Sequence, residues 1–486
     1  MVISHDDLVM DEVQGLTMIQ AMMVSFNSGL SASMAMVAYY PRLCGILGFP
    51  LLLLLMAGTA ILMQQTLMIA STQQGASTFE EICERLPKSL RQMSVCFVLL
   101  YLWGCACFGC QLLASFLLDQ LCPWMCESNG SFWMCQRELN TSLVVFVFIF
   151  VACYPPRLFG WLSLGLNYLN ALTKITLLCV AFVKGISVWS TRTETPSYTV
   201  WRPAGMLSVL SLLAGSLANS GIMPQLVADL HPSVPLKKAS VWCPIVAVSL
   251  QATTMAILTL VGYAAMGNNM QLNTFHSYDE KYPDILTSIL QGGMALLAYL
   301  SMPLMIMPCK SQVWNFFQHV EVEGVSRSLG SASVMSQMTL NLVFTLSSAC
   351  LPGLLGFSTY GNLFVALTST CGVWTSIILP ALVLLYCEVL PSFRSGTLRK
   401  RQVLLVSWIF LVGIICFIDG IFQMLALKGT TGKSAHERCI DAFLHHRGSS
   451  FGSLSDLQLS ALAEVVAQNR MRWTSLLTHW IQHASE

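Results

Sequence analysis

Charged side chains are scarce in this chain of 486 residues. Asp, Glu, Lys and Arg make up 10% of it and leave a formal net charge of +1, whereas a soluble chain carries about 25% charged residues. The small net charge gives no electrostatic basis for binding nucleic acid. No nucleotide-binding loop, metal-ligand cluster or nucleophile motif is found. The sequence therefore argues against an enzyme or an ATP-driven pump, and we predict no catalytic residue, metal or cofactor. The acidic start also lacks the positive region of a cleavable signal peptide.

Long apolar runs take the place of charge. Hydrophobic residues make up 55% of the chain, and about 20 consecutive apolar residues suffice to cross a bilayer. We therefore predict an all-α polytopic membrane protein with about eleven transmembrane helices, called spans 1 to 11 below. They cover residues 15–40, 44–71, 92–121, 142–156, 158–187, 204–228, 241–266, 284–308, 333–354, 361–387 and 403–427.

The orientation follows from the loops. Lys and Arg are concentrated in loops that face the cytosol if the N-terminus is cytosolic, as the positive-inside rule requires. The loop between spans 3 and 4 then lies on the opposite side. That loop carries both glycosylation sequons, at Asn129 and Asn140. It also holds Cys122, Cys126 and Cys135, among which a disulfide is plausible but its pairing stays open.

The tripeptide Asn-Ser-Gly occurs twice, each time inside an apolar span. One copy is Asn27-Ser28-Gly29 in span 1 and the other is Asn219-Ser220-Gly221 in span 6. Such residues weaken a helix, and an unpaired backbone group in hydrocarbon is costly, so a break persists only where it lines a protein cavity. Two broken helices at matching places in two halves of a chain point to the binding site of a transporter. Packing of small residues between helices is the alternative interpretation.

Lys174 lies near the middle of span 5, too far from either end for its side chain to reach the interface. A lysine at the bilayer centre is costly and faces the protein interior. We expect a functional role, with the capping of carbonyls from a broken helix as the alternative. Asp419 in span 11 is close enough to the outer end for an interfacial position.

Several motifs together resemble the amino acid/auxin permease family of the amino acid–polyamine–organocation superfamily. The run from Gln20 to Leu30 is similar to the family pattern Asn-Ala-x-Met-Gly-Ser-Gly-x-Leu-Gly-Leu. The run from Gly221 to Leu226 resembles the corresponding stretch of span 6. Leu300-Ser301-Met302-Pro303 and Ile378-Leu379-Pro380 resemble the signatures of spans 8 and 10.

The resemblance implies a LeuT-type fold, a 5+5 inverted repeat with broken helices 1 and 6 and one further helix. The apolar spans and the polar composition that follows them divide the chain into a cytosolic N-terminus at residues 1–14, a transmembrane transporter domain at 15–427 and a polar C-terminal tail at 428–486. The resemblance implies an amino acid as the small-molecule substrate. The implied substrate contacts are Ser25, Phe26, Asn27, Ser28 and Gly29 in span 1, and Ala218, Asn219, Ser220 and Gly221 in span 6.

The coupling residues implied by the resemblance are Lys174, Ser301 and Gln20. The sodium-coupled branch has Asn where this chain has Gln20, and Thr where it has Ser301. In sodium-independent relatives a lysine of span 5 replaces a sodium ion, and residues 171–175 look like that arrangement. We therefore expect secondary active transport of amino acids by alternating access, independent of sodium and either proton-coupled or by exchange, in a plasma membrane or a vacuolar or lysosomal membrane. A non-transporting amino acid sensor and a sodium-coupled neutral amino acid symporter are the alternatives.

Overall fold

The computed structural model describes residues 15–29, 32–127, 137–152, 161–192, 195–217, 222–271, 273–319, 334–355, 363–364, 367–391 and 400–425. Contacts divide the chain into a main unit, Met1–Gln120 with Gly130–Gly432, and a second unit, Leu121–Asn129 with Lys433–Glu486. The described part of the second unit is residues 121–127, the end of a helix.

The first five predicted spans are helices or a broken helix. Span 1 consists of α1 and, after two short 3-10 turns, α2; a short helix, α4, follows span 2. The bounds are α1 Met18–Ser28, α2 Tyr40–Cys44, α3 Gly48–Gln74, α4 Phe79–Ile82, α5 Lys88–Glu127, α6 Arg137–Ala152 and α7 Trp161–Thr191.

The remaining spans repeat this order. Span 6 is divided into α8 and α9, and a short helix, α11, precedes span 8. Span 10 contains three π-helical stretches. The bounds are α8 Met206–Leu217, α9 Met223–Ala228, α10 Leu236–Met266, α11 Thr274–Lys281, α12 Ile285–His319, α13 Val334–Leu355, α14 Thr368–Cys387 and α15 Lys400–Leu425.

The predicted all-α membrane fold is confirmed. Within the described residues, seven helices are long and apolar enough to cross a membrane, or eight if the bent pair in span 1 counts as one. Three shorter apolar helices lie in spans 4, 6 and 9. Each of the eleven predicted spans therefore corresponds to a helix or a broken helix. Many large apolar side chains, such as Leu54 and Leu260, face outward, as lipid contact requires.

The N-terminus of α1 is held in two ways. Thr17 is its N-cap, and Thr17 and Gln20 form a reciprocal capping box. Just before it, Leu16 forms an isolated parallel bridge with Leu230, beyond the end of α9. The Leu16 N–H donates to the Asp229 carbonyl over 2.7 Å, and His231 N–H donates to Leu16 over 3.0 Å. The chain entering span 1 is thus paired with the chain leaving span 6.

The loop predicted between spans 3 and 4 is shorter than expected. Helix α5 continues to Glu127, so Cys122 and Cys126 have helical backbone, and Asn140 lies within α6. The sequence pattern does not predict this extension, because Asp119, Gln120 and Pro123 interrupt the apolar residues there. Cys135 and Asn129 lie outside the described residues, and the disulfide and the glycosylation stay predictions.

Candidate functional site

Helix α1 stops in the middle of span 1. It ends at Ser28, and Gly29 is extended with φ −96° and ψ −179°. The chain then changes direction, with a 55° bend between Met18–Ser28 and Ser33–Cys44. The last four carbonyls of an α-helix have no partner within the helix. Here they belong to residues 25–28, and the side chains of Ser25, Asn27 and Ser28 are buried beside them. The break predicted from the first tripeptide is therefore present.

Lys174 of α7 fills this break. Its side chain is 1% exposed, and Nζ donates to the carbonyls of Phe26 (3.3 Å), Asn27 (3.1 Å) and Gly29 (3.0 Å). Nζ also lies 4.8 Å from the centroid of the Phe26 ring, within cation–π distance. A positive charge at the C-terminal end of α1 is favourable to the helix dipole. The structure thus places Lys174 inside the protein, against the backbone that the tripeptide frees.

A second donor at this break was missed by the sequence analysis. Gln251 of α10 is 1% exposed, and its Nε2 donates to the carbonyls of Ser25 (3.2 Å) and Phe26 (3.0 Å). The Ser25 carbonyl also accepts from Ser28 Oγ at 2.8 Å. The available signal was an amide side chain in the middle of an apolar span, which indicates a buried polar contact.

Helix α7 presents further polar side chains to the interior. Asn27 Nδ2 donates to the carbonyl of Asn167 at 2.7 Å and to its Oδ1 at 3.3 Å. Asn170 Nδ2 donates to Ser301 Oγ at 3.1 Å, and Ser301 Oγ donates to the Leu297 carbonyl at 2.8 Å. Asn167, Asn170 and Lys174 follow each other at helical spacing on one buried face. Ser301 is therefore joined to the lysine-bearing face of α7 through Asn170.

The described parts of span 6 lie on either side of the second tripeptide. Helix α8 ends at Leu217 and α9 begins at Met223. The predicted contacts Ala218, Asn219, Ser220 and Gly221 lie outside the described residues. At the end of α8, the Tyr101 hydroxyl donates to the Gly215 carbonyl at 2.6 Å. Gln64 Nε2 of α3 donates to the Leu217 carbonyl at 3.3 Å.

Two other candidates lie in different settings. Gln20 belongs to the capping box at the start of α1, where its side chain accepts from Thr17 N–H at 2.9 Å. The structure does not bring it to the break, because two turns of α1 separate the two places. Asp419 accepts a hydrogen bond from Ser211 Oγ of α8 at 3.1 Å, so it contacts the first half of span 6.

Several buried oxygens around the two breaks are available for further hydrogen bonds. Among the described residues no partner is found for Ser25 Oγ, Asn27 Oδ1, Asn170 Oδ1, Gln251 Oε1 or Gln64 Oε1. An unsatisfied buried polar group costs about 1–3 kcal/mol. The four amide oxygens among them are pure acceptors. The site is therefore richer in acceptors than in donors, which suits water or an ammonium group.

Two broken helices with buried polar groups at the break, in a bundle of membrane-spanning helices, define a transporter-like membrane protein. The family model of the transmembrane amino acid transporter protein matches residues 14–425, and the chain belongs to this family. It is an integral, multi-pass membrane protein of an amino acid transporter family.

A solved structure shows the same fold. The chain is similar to the crystal structure of MhsT in complex with L-phenylalanine, with a TM-score of 0.50 and 13% sequence identity, over 85% of this chain and 99% of that chain. This likeness is one of fold, and it supports the predicted LeuT-type arrangement, two inverted repeats of five spans that each begin with a broken helix. A comparison with curated proteins gave no match.

Proposed function

We propose that this protein is a sodium-independent secondary active transporter of amino acids that works by alternating access. The observation that carries the proposal is the position of Lys174 Nζ, within 3.3 Å of three carbonyls of the span 1 break. Freed carbonyls at such a break can coordinate a sodium ion. Here an ammonium group with one positive charge and three N–H donors meets the same kind of oxygens.

The ammonium removes the need for sodium at this place. Each of its three donors has a carbonyl acceptor, so a sodium ion would have to displace it. A proton takes the role of the ion in this scheme, because losing it would remove the positive charge that holds the end of α1. Proton symport and amino acid exchange are both consistent with this arrangement, which favours them over sodium symport.

The substrate is an amino acid, and a neutral one is our preference. The proposed contacts are those at the two breaks, Ser25, Phe26, Asn27, Ser28 and Gly29 together with Ala218, Asn219, Ser220 and Gly221. These side chains include no carboxylate that would favour a cationic amino acid. The unpartnered amide oxygens of Asn27 and Gln251 would accept hydrogen bonds from the substrate's ammonium group. Either a plasma membrane or a vacuolar or lysosomal membrane fits this proposal.

The test is uptake by the purified protein in liposomes. Radiolabelled L-phenylalanine, L-alanine, L-lysine and L-glutamate are offered under a sodium gradient, a proton gradient or neither, to wild type and to Lys174→Ala. We expect uptake of a neutral amino acid that ignores sodium, and altered or lost coupling to the proton gradient or to exchange in Lys174→Ala. Sodium-driven uptake that survives Lys174→Ala would contradict the proposal. Binding without uptake under any gradient would identify a sensor instead.

A further inference from the structure

Two glutamines, Gln64 and Gln251, lie in equivalent places of the fold. Gln64 is on α3 and Gln251 on α10, and each side chain is 1% exposed. Each Nε2 donates to a carbonyl at the C-terminal end of a helix that stops in mid-membrane. Gln64 contacts Leu217, the last residue of α8, and Gln251 contacts Ser25 and Phe26 near the end of α1.

The inverted repeat explains why two such glutamines are present. In an inverted repeat of five plus five spans, span 2 corresponds to span 7 and span 1 to span 6. Helix α3 is span 2 and α10 is span 7. Each glutamine therefore extends from the second span of its own repeat to the broken first span of the other repeat. Both contacts cross between the two repeats.

The backbone at the first break is fitted to this contact. A Cβ atom added to Gly29 would lie 2.5 Å from Gln251 Nε2 and 2.9 Å from its amide carbon. A side chain at this position would force the amide away, so glycine allows Gln251 to reach the carbonyls. The glycine of the tripeptide thus serves a side chain that comes from a different repeat.

The chemistry of the pair suits a contact that must be made and released. An amide donates to a carbonyl without adding charge, and one such hydrogen bond contributes about 1 kcal/mol net. Alternating access moves one repeat or bundle against the other around the substrate. Uncharged hydrogen bonds between the repeats can stabilise one conformation and still break when the repeats move. A buried ion pair would be costly to separate.

We propose that Gln64 and Gln251 are a repeat-related pair of positioning residues. Each uses its amide NH₂ group to hold the broken helix of the opposite repeat in the conformation that binds the amino acid. This inference rests on the proposed transport function, and it assigns a role to two residues that the tripeptides do not include. Removing either amide shifts the protein away from the substrate-binding conformation, so it lowers apparent affinity more than maximal rate.

The chain offers a matched control. Gln65, the next residue on α3, also donates through Nε2 to a carbonyl, that of Val241 at 3.3 Å, but on the exposed side of the helix and away from either break. The experiment compares Gln64→Met, Gln251→Met and Gln65→Met in the same liposomes, with the same four labelled amino acids. We expect the first two to raise KM about 10-fold, the equivalent of about one buried hydrogen bond. Vmax should stay within about twofold, and Gln65→Met should match wild type.

A glutamate at the same position gives a second readout that a packing role would not produce. In Gln251→Glu a protonated carboxyl can donate to the carbonyls, whereas the ionised form only accepts and repels them. The KM of this variant, relative to wild type at each pH, should fall as the pH is lowered. Purified variants are first checked for a monodisperse profile and thermal unfolding, so that a misfolded variant is recognised. If Gln251→Met does not fold, Gln251→Glu at low and high pH replaces it.

The outcomes separate this inference from the proposed function. Equal KM values for wild type, Gln64→Met and Gln251→Met would overturn the pair, as would a glutamate variant whose relative KM ignores pH. Absence of uptake by wild type and by Gln65→Met would reject the transport function. The pair is then tested through the thermal stabilisation that L-phenylalanine or another of the four amino acids gives to each variant. If none of them stabilises the wild type, the pair is rejected together with the proposed function.

Discussion

The two breaks carry the same tripeptide, yet different donors satisfy their backbones. The end of α1 receives the Lys174 ammonium and the Gln251 amide. The end of α8 receives the Tyr101 hydroxyl and the Gln64 amide, so the donors found there among the described residues are neutral. Each break receives a glutamine amide, whereas the charged donor, Lys174, is found at the first break. The repeat therefore supplies a symmetric scaffold on which one position has become electrostatically distinct.

This difference has a physical consequence. A cation near the C-terminal end of a helix is stabilised by the helix dipole, whereas neutral donors satisfy carbonyls without any net charge. The first break can therefore respond to a change in protonation, and the donors at the second cannot ionise to the same effect at neutral pH. We expect coupling to depend on the first break and substrate affinity to depend on both.

The largest expected effect comes from removing the charge. In Lys174→Ala the carbonyls of Phe26, Asn27 and Gly29 lose their ammonium donor, and hydrogen bonds to charged groups contribute about 1.5–3 kcal/mol each. We expect a loss of about 3 kcal/mol or more in unfolding free energy. If the ammonium takes the place of a cation, sodium chloride should restore part of this stability, whereas choline chloride should not. Thermal unfolding in detergent measures the loss of stability and its recovery in salt. A Lys174→Ala variant as stable as wild type would show that the ammonium does not stabilise the first break.

A smaller effect is expected when the first break is crowded. Gly29→Ala adds a Cβ that meets the Gln251 amide at 2.5 Å. We expect KM for uptake to rise about 10-fold, since the bonds from Gln251 to the break are lost. Gly58→Ala in α3 is the matched control, because nothing lies within 4 Å of its added Cβ. Gly58→Ala should leave uptake unchanged. A similar rise in KM in both variants would show that the effect does not come from the contact between residue 29 and Gln251.

Lys184, the other buried lysine of α7, sharpens the contrast because it has an acidic partner. Its Nζ lies 2.8 Å from Asp284 Oδ2 and donates to the Tyr282 carbonyl at 2.6 Å. Desolvation raises the pKa of the Asp284 carboxyl, but the hydrogen bonds from Lys184 and Thr287 outweigh it and leave the pKa below its ordinary value. A lowered folded pKa gives stability that is present above the unfolded pKa, about 3.9, and is lost as the pH falls through the folded one.

The stability that the Lys184–Asp284 pair contributes should therefore stay constant between about pH 5 and 8. We expect Asp284→Asn to cost about 1 kcal/mol, since the carboxylate is 39% exposed. The shape of the pH profile of uptake in this range should match that of wild type. A profile altered by Asp284→Asn as much as by Lys174→Ala would show that coupling is not confined to the first break.

The smallest effect is expected at the second break. Tyr101→Phe removes one neutral hydrogen bond to the Gly215 carbonyl, which contributes about 1 kcal/mol. Coupling to the proton gradient should be unchanged, because no charge is altered. Uptake under imposed gradients, measured beside Lys174→Ala, checks this, and lost coupling in Tyr101→Phe would contradict the division between the breaks.

Much of the fold was predictable from local patterns. Apolar runs predicted each span, and the first tripeptide predicted the break at Gly29, because hydrophobicity and helix weakness are properties of neighbouring residues. The burial of Lys174 followed from its distance to the span ends. The role of Gln20 was expected from the family pattern alone, and the structure places it in a helix cap that its own neighbour Thr17 provides.

What the sequence by itself determined is therefore the membrane class, the positions of the helices and the presence of a lysine that must find partners inside the bundle. Tertiary structure alone decided which partners those are. Gln64 and Gln251 meet carbonyls far away in the chain, and Ser301 meets Asn170. Such pairings depend on how helices from two repeats pack around each other. A hydrogen bond needs its donor and acceptor within about 3 Å, and only the packed bundle sets that distance.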